Sequence, residues 1–211
     1  MSASDVSIEQ AVEALRDGRV IAVPTDTVYG LAVDPSVPGA TEALYRIKGR
    51  PEASALPVLV GSHHDAETLG VFDRRGIALV ERYWPGALTV VVARLPAVSF
   101  DLGGDRATIG LRHPAHALIC ELLVASGPLA VTSANRHGEE PLTTAEAVAA
   151  AFGQPGRALT ADLLVVDGGL CRGRPSTVVA LTGPEPMVLR EGAIGALELF
   201  SLLGELDAPR P

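Results

Sequence analysis

Polar side chains suited to holding charge in place collect where the predicted elements end: Thr25 and Thr27, Lys48 and Arg50, Arg112, Ser133 and Asn135, Ser176 and Thr177, and Arg190. Ligand sites in α/β folds favour such strand-end positions. The cations suit a polyanion, and the hydroxyls and Asn135 suit directional hydrogen bonds. Of the 17 basic residues, Lys48 is the only lysine. An ammonium is a compact point charge and a guanidinium a planar fork, so the single lysine marks a candidate site for a point charge. Pro51 biases Arg50 toward extended backbone. Residues two apart in an extended segment point the same way, so Lys48 and Arg50 can converge on one anion. Two plainer readings stand beside this one. Cations near a helix C-terminus complement its dipole, and Thr25, Asp26 and Thr27 can simply form Asx and Ser/Thr turns.

Rival chemistries are poorly represented. No G-x-x-x-x-G-K-[ST] or G-x-G-x-x-G stretch occurs, and no G-x-S-x-G elbow supports Ser133 as a nucleophile. His116 and Cys120 are spaced for one helix face, but no second cluster completes a zinc set. His63 and His64 read as solvated. The glycine-rich run Gly168 to Arg174 holds Arg172 and Arg174 and could close over an anion, or be only a turn.

The elements that must position these groups follow from periodicity. Ser7-Ile8-Glu9-Gln10 reads as a capping box opening a helix that Gly18 stops. Helices are also predicted from Ala40 to Lys48, from Asp73 to Trp84, over 115–126, after Thr143-Thr144-Ala145-Glu146, and over 194–203. Short apolar strands are predicted at 20–23, 57–60, 87–93, 107–111, 129–131, 163–166, 176–181 and 187–190. Strands and helices interleave, yet several strands follow one another directly, which favours an α/β fold with a mixed sheet. No repeat or linker divides the chain, so one domain is expected over 6–200, with terminal tails at 1–5 and 205–211.

The 211 residues suffice for a full core, and the formal net charge of −8 argues against a non-specific nucleic-acid binder. Two cysteines are too few for a disulfide framework. The N-terminus lacks secretory-signal character and no apolar run approaches the length of a membrane span. A cytoplasmic protein with no membrane attachment is expected.

Taken in order, the motifs resemble the YrdC family. They are Pro24-Thr25-Asp26-Thr27-Val28-Tyr29-Gly30-Leu31, Lys48-x-Arg50-Pro51, Trp84-Pro85-Gly86 with Leu88-Thr89, Thr108 to Arg112 with Pro114, Ser133-Ala134-Asn135, Ser176-Thr177-Val178-Val179 and Leu189-Arg190-Glu191-Gly192. The resemblance runs from about Val6 to Ala196. It implies a single α/β domain with a twisted, mostly mixed β-sheet flanked by helices around a basic concave cleft. It also implies an L-threonylcarbamoyladenylate synthase, a nucleotidyltransferase that joins L-threonine, bicarbonate or CO2 and ATP into threonylcarbamoyl-AMP and pyrophosphate. Downstream transfer proteins then modify the adenosine beside the tRNA anticodon.

By position, the resemblance places Thr27, Arg112 and Ser176 on threonine or its carbamate. It places Arg50, Ser54, Thr108, Ser133, Asn135 and Arg190 on ATP, and Lys48 and Arg50 in catalytic roles. Mg²⁺ is expected with ATP, without metal ligands from protein side chains. Residues 168–174 are the candidate lid. The chain departs from the family pattern at Ser54, where lysine or asparagine is usual, and at Leu59, where histidine is frequent. Longer family members carry an additional C-terminal domain, and this sequence is expected to lack it. Two other readings use the same cleft: a non-catalytic RNA-binding module, with direct tRNA contact, and a carbamoyl-adenylate module like that of hydrogenase-maturation carbamoyltransferases.

Overall fold

The computed structural model describes residues 6–49, 55–136, 138–152 and 163–207. The first helix, α1 (Ile8–Arg16), starts as its capping box requires. Ser7 Oγ accepts from Gln10 N at 3.3 Å while Ser7 N donates to Gln10 Oε1 at 3.0 Å. Its Ala11, Val12, Ala14 and Leu15 are buried, as its apolar spacing demands.

The strands are β1 (Ile21–Val23), β2 (Gly30–Val33), β3 (Val58–Leu59), β4 (Gly70–Val71), β5 (Leu88–Arg94), β6 (Thr108–Arg112), β7 (Leu129–Ser133), β8 (Leu164–Val165), β9 (Thr177–Ala180) and β10 (Met187–Arg190). They form one sheet in the order β10-β9-β5-β6-β3-β7-β2-β1-β8, with β4 added beside β5. The pairs β1·β8, β3·β6 and β5·β9 are parallel and the others antiparallel, so the sheet is mixed. The remaining helices are α2 (Ala40–Lys48), α3 (His63–Glu67), α4 (Arg74–Tyr83), α5 (Ala117–Ser126), α6 (Ala145–Phe152) and α7 (Ala196–Asp207).

Alternation along the strands sorts the residues onto two faces. On one face, Leu31, Val33, Val58, Val90, Val92 and Leu111 pack in a cluster that includes Leu44 of α2, Leu79 of α4 and Leu199 of α7. On the other, Ile21, Ala32, Leu59 and Val131 pack with Leu15 of α1 and Ile119 and Leu122 of α5. Each fully buried aliphatic side chain contributes about 1.5–3 kcal/mol relative to exposure, and these clusters hold many. Farther along that second face, at β5, β6, β9 and β10, the sheet is open. Strand β6 shows the change in its sequence: Ile109 and Leu111 are core residues, while Thr108, Gly110 and Arg112 alternate with them and line a cleft.

The structure departs from the sequence-based expectations in several places. Gly30–Val33 continues the Thr-Asp-Thr turn as strand β2, paired antiparallel with β1 on one side and β7 on the other. At Gly30 a Cβ would lie 2.6 Å from Val131 Cγ1. Helix α3 and strand β4 were not foreshadowed; both are shorter than sequence periodicity can register. Helix α5 starts at Ala117, not 115, with His116 at its N-cap. Helix α7 runs to Asp207, so the tail expected from 205 begins inside it. No helix among the described residues is long and apolar enough to cross a membrane.

Candidate active site

The cleft has a volume of about 580 Å³, inside the range of roughly 300–1,000 Å³ common for small-molecule sites. Thr27, Thr108, Arg112, Ser133, Ser176 and Arg190 all line it. Registers explain the convergence. Leu59 lies level with Arg112 across β3·β6, Thr89 with Val178 across β5·β9, and Gly30 with Ser133 across β2·β7.

Arg112 is the most tightly directed group. Its Nε donates to Gly86 O at 2.9 Å, Nη1 to Thr27 Oγ1 at 3.0 Å and Nη2 to Asp26 Oδ1 at 2.6 Å. Burial pushes the Arg112 pKa down, the Asp26 carboxylate pulls it back, and the charge of Arg190 pushes it down again. A guanidinium stays protonated throughout, and the Asp26 carboxylate is the anion that faces its buried charge. Thr27 is set by Thr25, whose Oγ1 stands 2.9 Å from Thr27 Oγ1, donates to Val28 O at 2.6 Å and accepts from Thr27 N and Val28 N. The turn reading and the pocket reading of these threonines therefore both hold: the turn is the pocket wall.

Arg190 donates from Nε and Nη2 to Ser176 O and from Nη2 to Ser176 Oγ at 3.0 Å. Ser176 Oγ is also 2.9 Å from Thr89 Oγ1. Behind Ser176, the fully buried Thr177 donates to Ile194 O and accepts from Gly192 N and Ile194 N, tying the Arg190 turn to β9.

Lys48 is brought close to the cleft without lining it. It is 3% exposed, and its Nζ lies 2.5 Å from Ser133 O, 3.1 Å from Ser133 Oγ and 2.5 Å from Asn135 Oδ1. Three acceptors match the three donors of an ammonium. Asn135 is buried too, with Nδ2 donating to Arg136 O and Glu139 O. Lys48 and Asn135 thus clamp the exit of β7, beneath the wall that Ser133 presents. Arg50 and Ser54 lie outside the described residues.

The glycine-rich loop is stitched down at several points. Tyr29 Oη donates to Gly169 O at 3.0 Å, Cys171 N to Thr143 O at 2.9 Å, Gly173 N to Thr27 O at 2.7 Å, and Arg174 Nη2 to Gly192 O at 3.0 Å. Any movement of residues 168–174 as a lid has to break bonds to the cleft wall itself. His116 and Cys120 do not form a ligand pair: His116 precedes the helix and Cys120 Sγ donates to Pro114 O at 3.1 Å. His63 is exposed, but its ring is not merely solvated; it stands edge-on to Trp84 at 5.6 Å between centroids.

Sequence reasoning missed Thr89, and it grouped Asp26 with Thr25 and Thr27 as pocket or turn residues without its Arg112 partner. The alternation Leu88-Thr89-Val90 in an apolar strand could have flagged Thr89 as a polar residue on the open face. The strand-exit pattern marked Asp26 as a pocket or turn residue but carried no signal of its partner, which is 86 residues away.

The profile of the Sua5/YciO/YrdC family, described as "Telomere recombination", matches residues 13–192. The chain belongs to that family. A Mycobacterium leprae relative named "Putative threonylcarbamoyl-AMP synthase" is 39% identical over 202 residues, covering 95% of this chain and 90% of its own. The Pyrococcus abyssi Sua5 structure described as complexed with L-threonine superposes with a TM-score of 0.85 at 33% identity, over 94% of this chain and 57% of that one. Escherichia coli YciO superposes with a TM-score of 0.80 at 30% identity, over 92% of each chain. The Sua5/YciO/YrdC fold and the mixed sheet expected from the motifs are therefore established for this chain.

Proposed function

We propose that this chain is a threonylcarbamoyl-AMP synthase, acting on L-threonine, bicarbonate or CO2, and ATP. The observation that carries this reading is the meeting of Thr27, Arg112, Ser176 and Arg190 in one cleft, in a chain whose relative of that name it matches over 90% of its length. Two anions must approach each other in this reaction, a carbamate and a triphosphate. Arg112 and Arg190 are close enough for each to act on the other's charge, so one anion on each lowers the repulsion of the pair.

In this reading Arg112 and Thr27 hold the amino acid, with Ser176 between them and Arg190. Arg190, Thr108 and Ser133 take the nucleotide, together with Arg50 and Ser54, while the buried Asn135 holds the Ser133 wall from beneath. The apolar stretch Val91, Leu102, Ile109, Val178 and Leu189 offers a surface for the base. Threonine's neutral amine attacks CO2 and loses a proton to solvent, giving the carbamate. A carbamate oxygen then attacks the α-phosphorus in line, the bond to the β-phosphate oxygen breaks, and pyrophosphate leaves. The protein supplies alignment and charge, which is what phosphoryl-group chemistry chiefly needs. The cleft's polar groups are mainly guanidinium and hydroxyl, which suit phosphate oxygens better than a bare divalent cation. Mg²⁺ would accordingly be carried by the phosphates and water, where it neutralises charge. Lys48 acts from beneath through Ser133 and Asn135. Transfer proteins would then pass the threonylcarbamoyl group to tRNA.

The test is incubation with ATP, MgCl2, labelled bicarbonate and L-threonine, with mass identification of the product and pyrophosphate release. Labelled threonylcarbamoyl-AMP is expected, and EDTA should abolish it. Salt-dependent RNA binding with no ATP-dependent product would overturn the reading in favour of a non-catalytic module. Turnover of carbamoyl phosphate in place of bicarbonate and threonine would redirect it to a carbamoyl-adenylate activity.

A further inference from the structure

Asp26 sits between Thr25 and Thr27 and reads from the sequence as a turn residue. In the fold its Oδ1 accepts from Arg112 Nη2 at 2.6 Å and from Ala115 N at 3.0 Å. The side chains of Arg112 and Asp26 are only 7% and 11% exposed. The fork of Arg112 is thereby divided. Nε is committed to Gly86 O and Nη2 to Asp26, while Nη1 faces Thr27 Oγ1. The carboxylate also offsets part of the charge that Arg112 would otherwise present.

We infer that Asp26 is a positioning residue that reserves the Arg112 end of the cleft for a singly charged carboxylate or carbamate and closes it to the phosphate chain. The inference rests on the reading of that end as the amino-acid site. A guanidinium with an open fork is a bidentate phosphate binder. With one edge occupied by a carboxylate, a polyphosphate would meet a like charge one guanidinium's width away, where water screens little. A single carboxylate beside Nη1 and the Thr27 hydroxyl meets a weaker repulsion and keeps its directed bonds. Asp26 thus sorts the two anionic substrates onto their own halves of one basic cleft, which a cleft of undivided arginines would not do.

Titration calorimetry of the full chain tests this, with L-threonine as ligand in the absence and presence of saturating pyrophosphate. In wild-type protein, pyrophosphate should change threonine affinity by no more than about twofold, because the two occupy separate ends. In Asp26→Asn, whose amide oxygen can still accept from Arg112 Nη2 and Ala115 N, threonine affinity should change by no more than about threefold, and pyrophosphate should become competitive with threonine. Asp26→Glu, which keeps the charge, should weaken threonine while still excluding pyrophosphate. A merely structural role would weaken both ligands together without new competition, and that result in Asp26→Asn overturns the inference. Competition between pyrophosphate and threonine in wild-type protein overturns it whether or not either variant folds. Threonine binding to wild-type protein with no gain of competition in Asp26→Asn defeats the inference alone. No threonine binding to wild-type protein defeats the functional reading and this inference with it.

Discussion

Replacing Arg112 by lysine keeps the charge and removes the fork. In the native site the guanidinium makes directed bonds to Gly86 O at 2.9 Å, Thr27 Oγ1 at 3.0 Å and Asp26 Oδ1 at 2.6 Å. An ammonium drawn to Asp26 preserves the ion pair, since that is the strongest attraction available to it. Gly86 O and Thr27 Oγ1 then lose their donor. An acceptor left without its partner out of water costs about 1–3 kcal/mol, and a hydrogen bond to a charged group contributes about 1.5–3 kcal/mol. The carbonyl falls on folding stability and the hydroxyl on substrate alignment. Arg112→Lys should therefore lose about 2 kcal/mol of stability and about 2 kcal/mol of transition-state stabilisation, the latter roughly thirtyfold in kcat/KM for threonine. Pyrophosphate release measured against threonine at saturating ATP reads the second loss, and thermal melting reads the first. KM for ATP should move far less, because Arg190 and Thr108 are untouched. If the variant retains kcat/KM for threonine within about threefold, charge alone suffices at this position and the directional argument fails.

Two further expectations follow from buried groups near the cleft. Lys48→Met strips the donor from Ser133 O and Asn135 Oδ1, so melting temperature and activity should fall together, with about 2–4 kcal/mol lost from folding; lost activity with unchanged melting would put Lys48 at the chemistry instead of beneath it. Burial pushes the Tyr29 hydroxyl up to about 12. A tyrosine whose pKa is raised by folding favours the native state fully below about pH 10 and loses that contribution as pH rises toward about 12, because the unfolded chain releases the proton first. Unfolding measured across that window should show stability falling more steeply in wild-type protein than in Tyr29→Phe, and equal slopes would refute the assignment.

Much of this protein was legible residue by residue. The Ser7 capping box, the α2 helix that ends on Lys48, and the polar-apolar alternation of Thr108 to Arg112 are local patterns. Such patterns are written in spacing of 2 or 3.6 residues and need no partner. They determine which side chains a strand turns to one face, and hence that Thr108 and Arg112 point together. What they cannot determine is which strands become neighbours. Thr27 reaches Arg112 across 85 residues of chain, and Lys48 reaches Ser133 across another 85. Both encounters exist only because the sheet runs β6-β3-β7-β2 with α1 and α5 covering one end of a face and leaving the other bare. The lone lysine was conspicuous by type, yet only packing made it a buried clamp instead of a charge in the open cleft. Asp26 was ordinary by type, and only packing gave it Arg112. Residue identity sets what a group can bond to, and the long-range closure of the sheet decides what stands within reach.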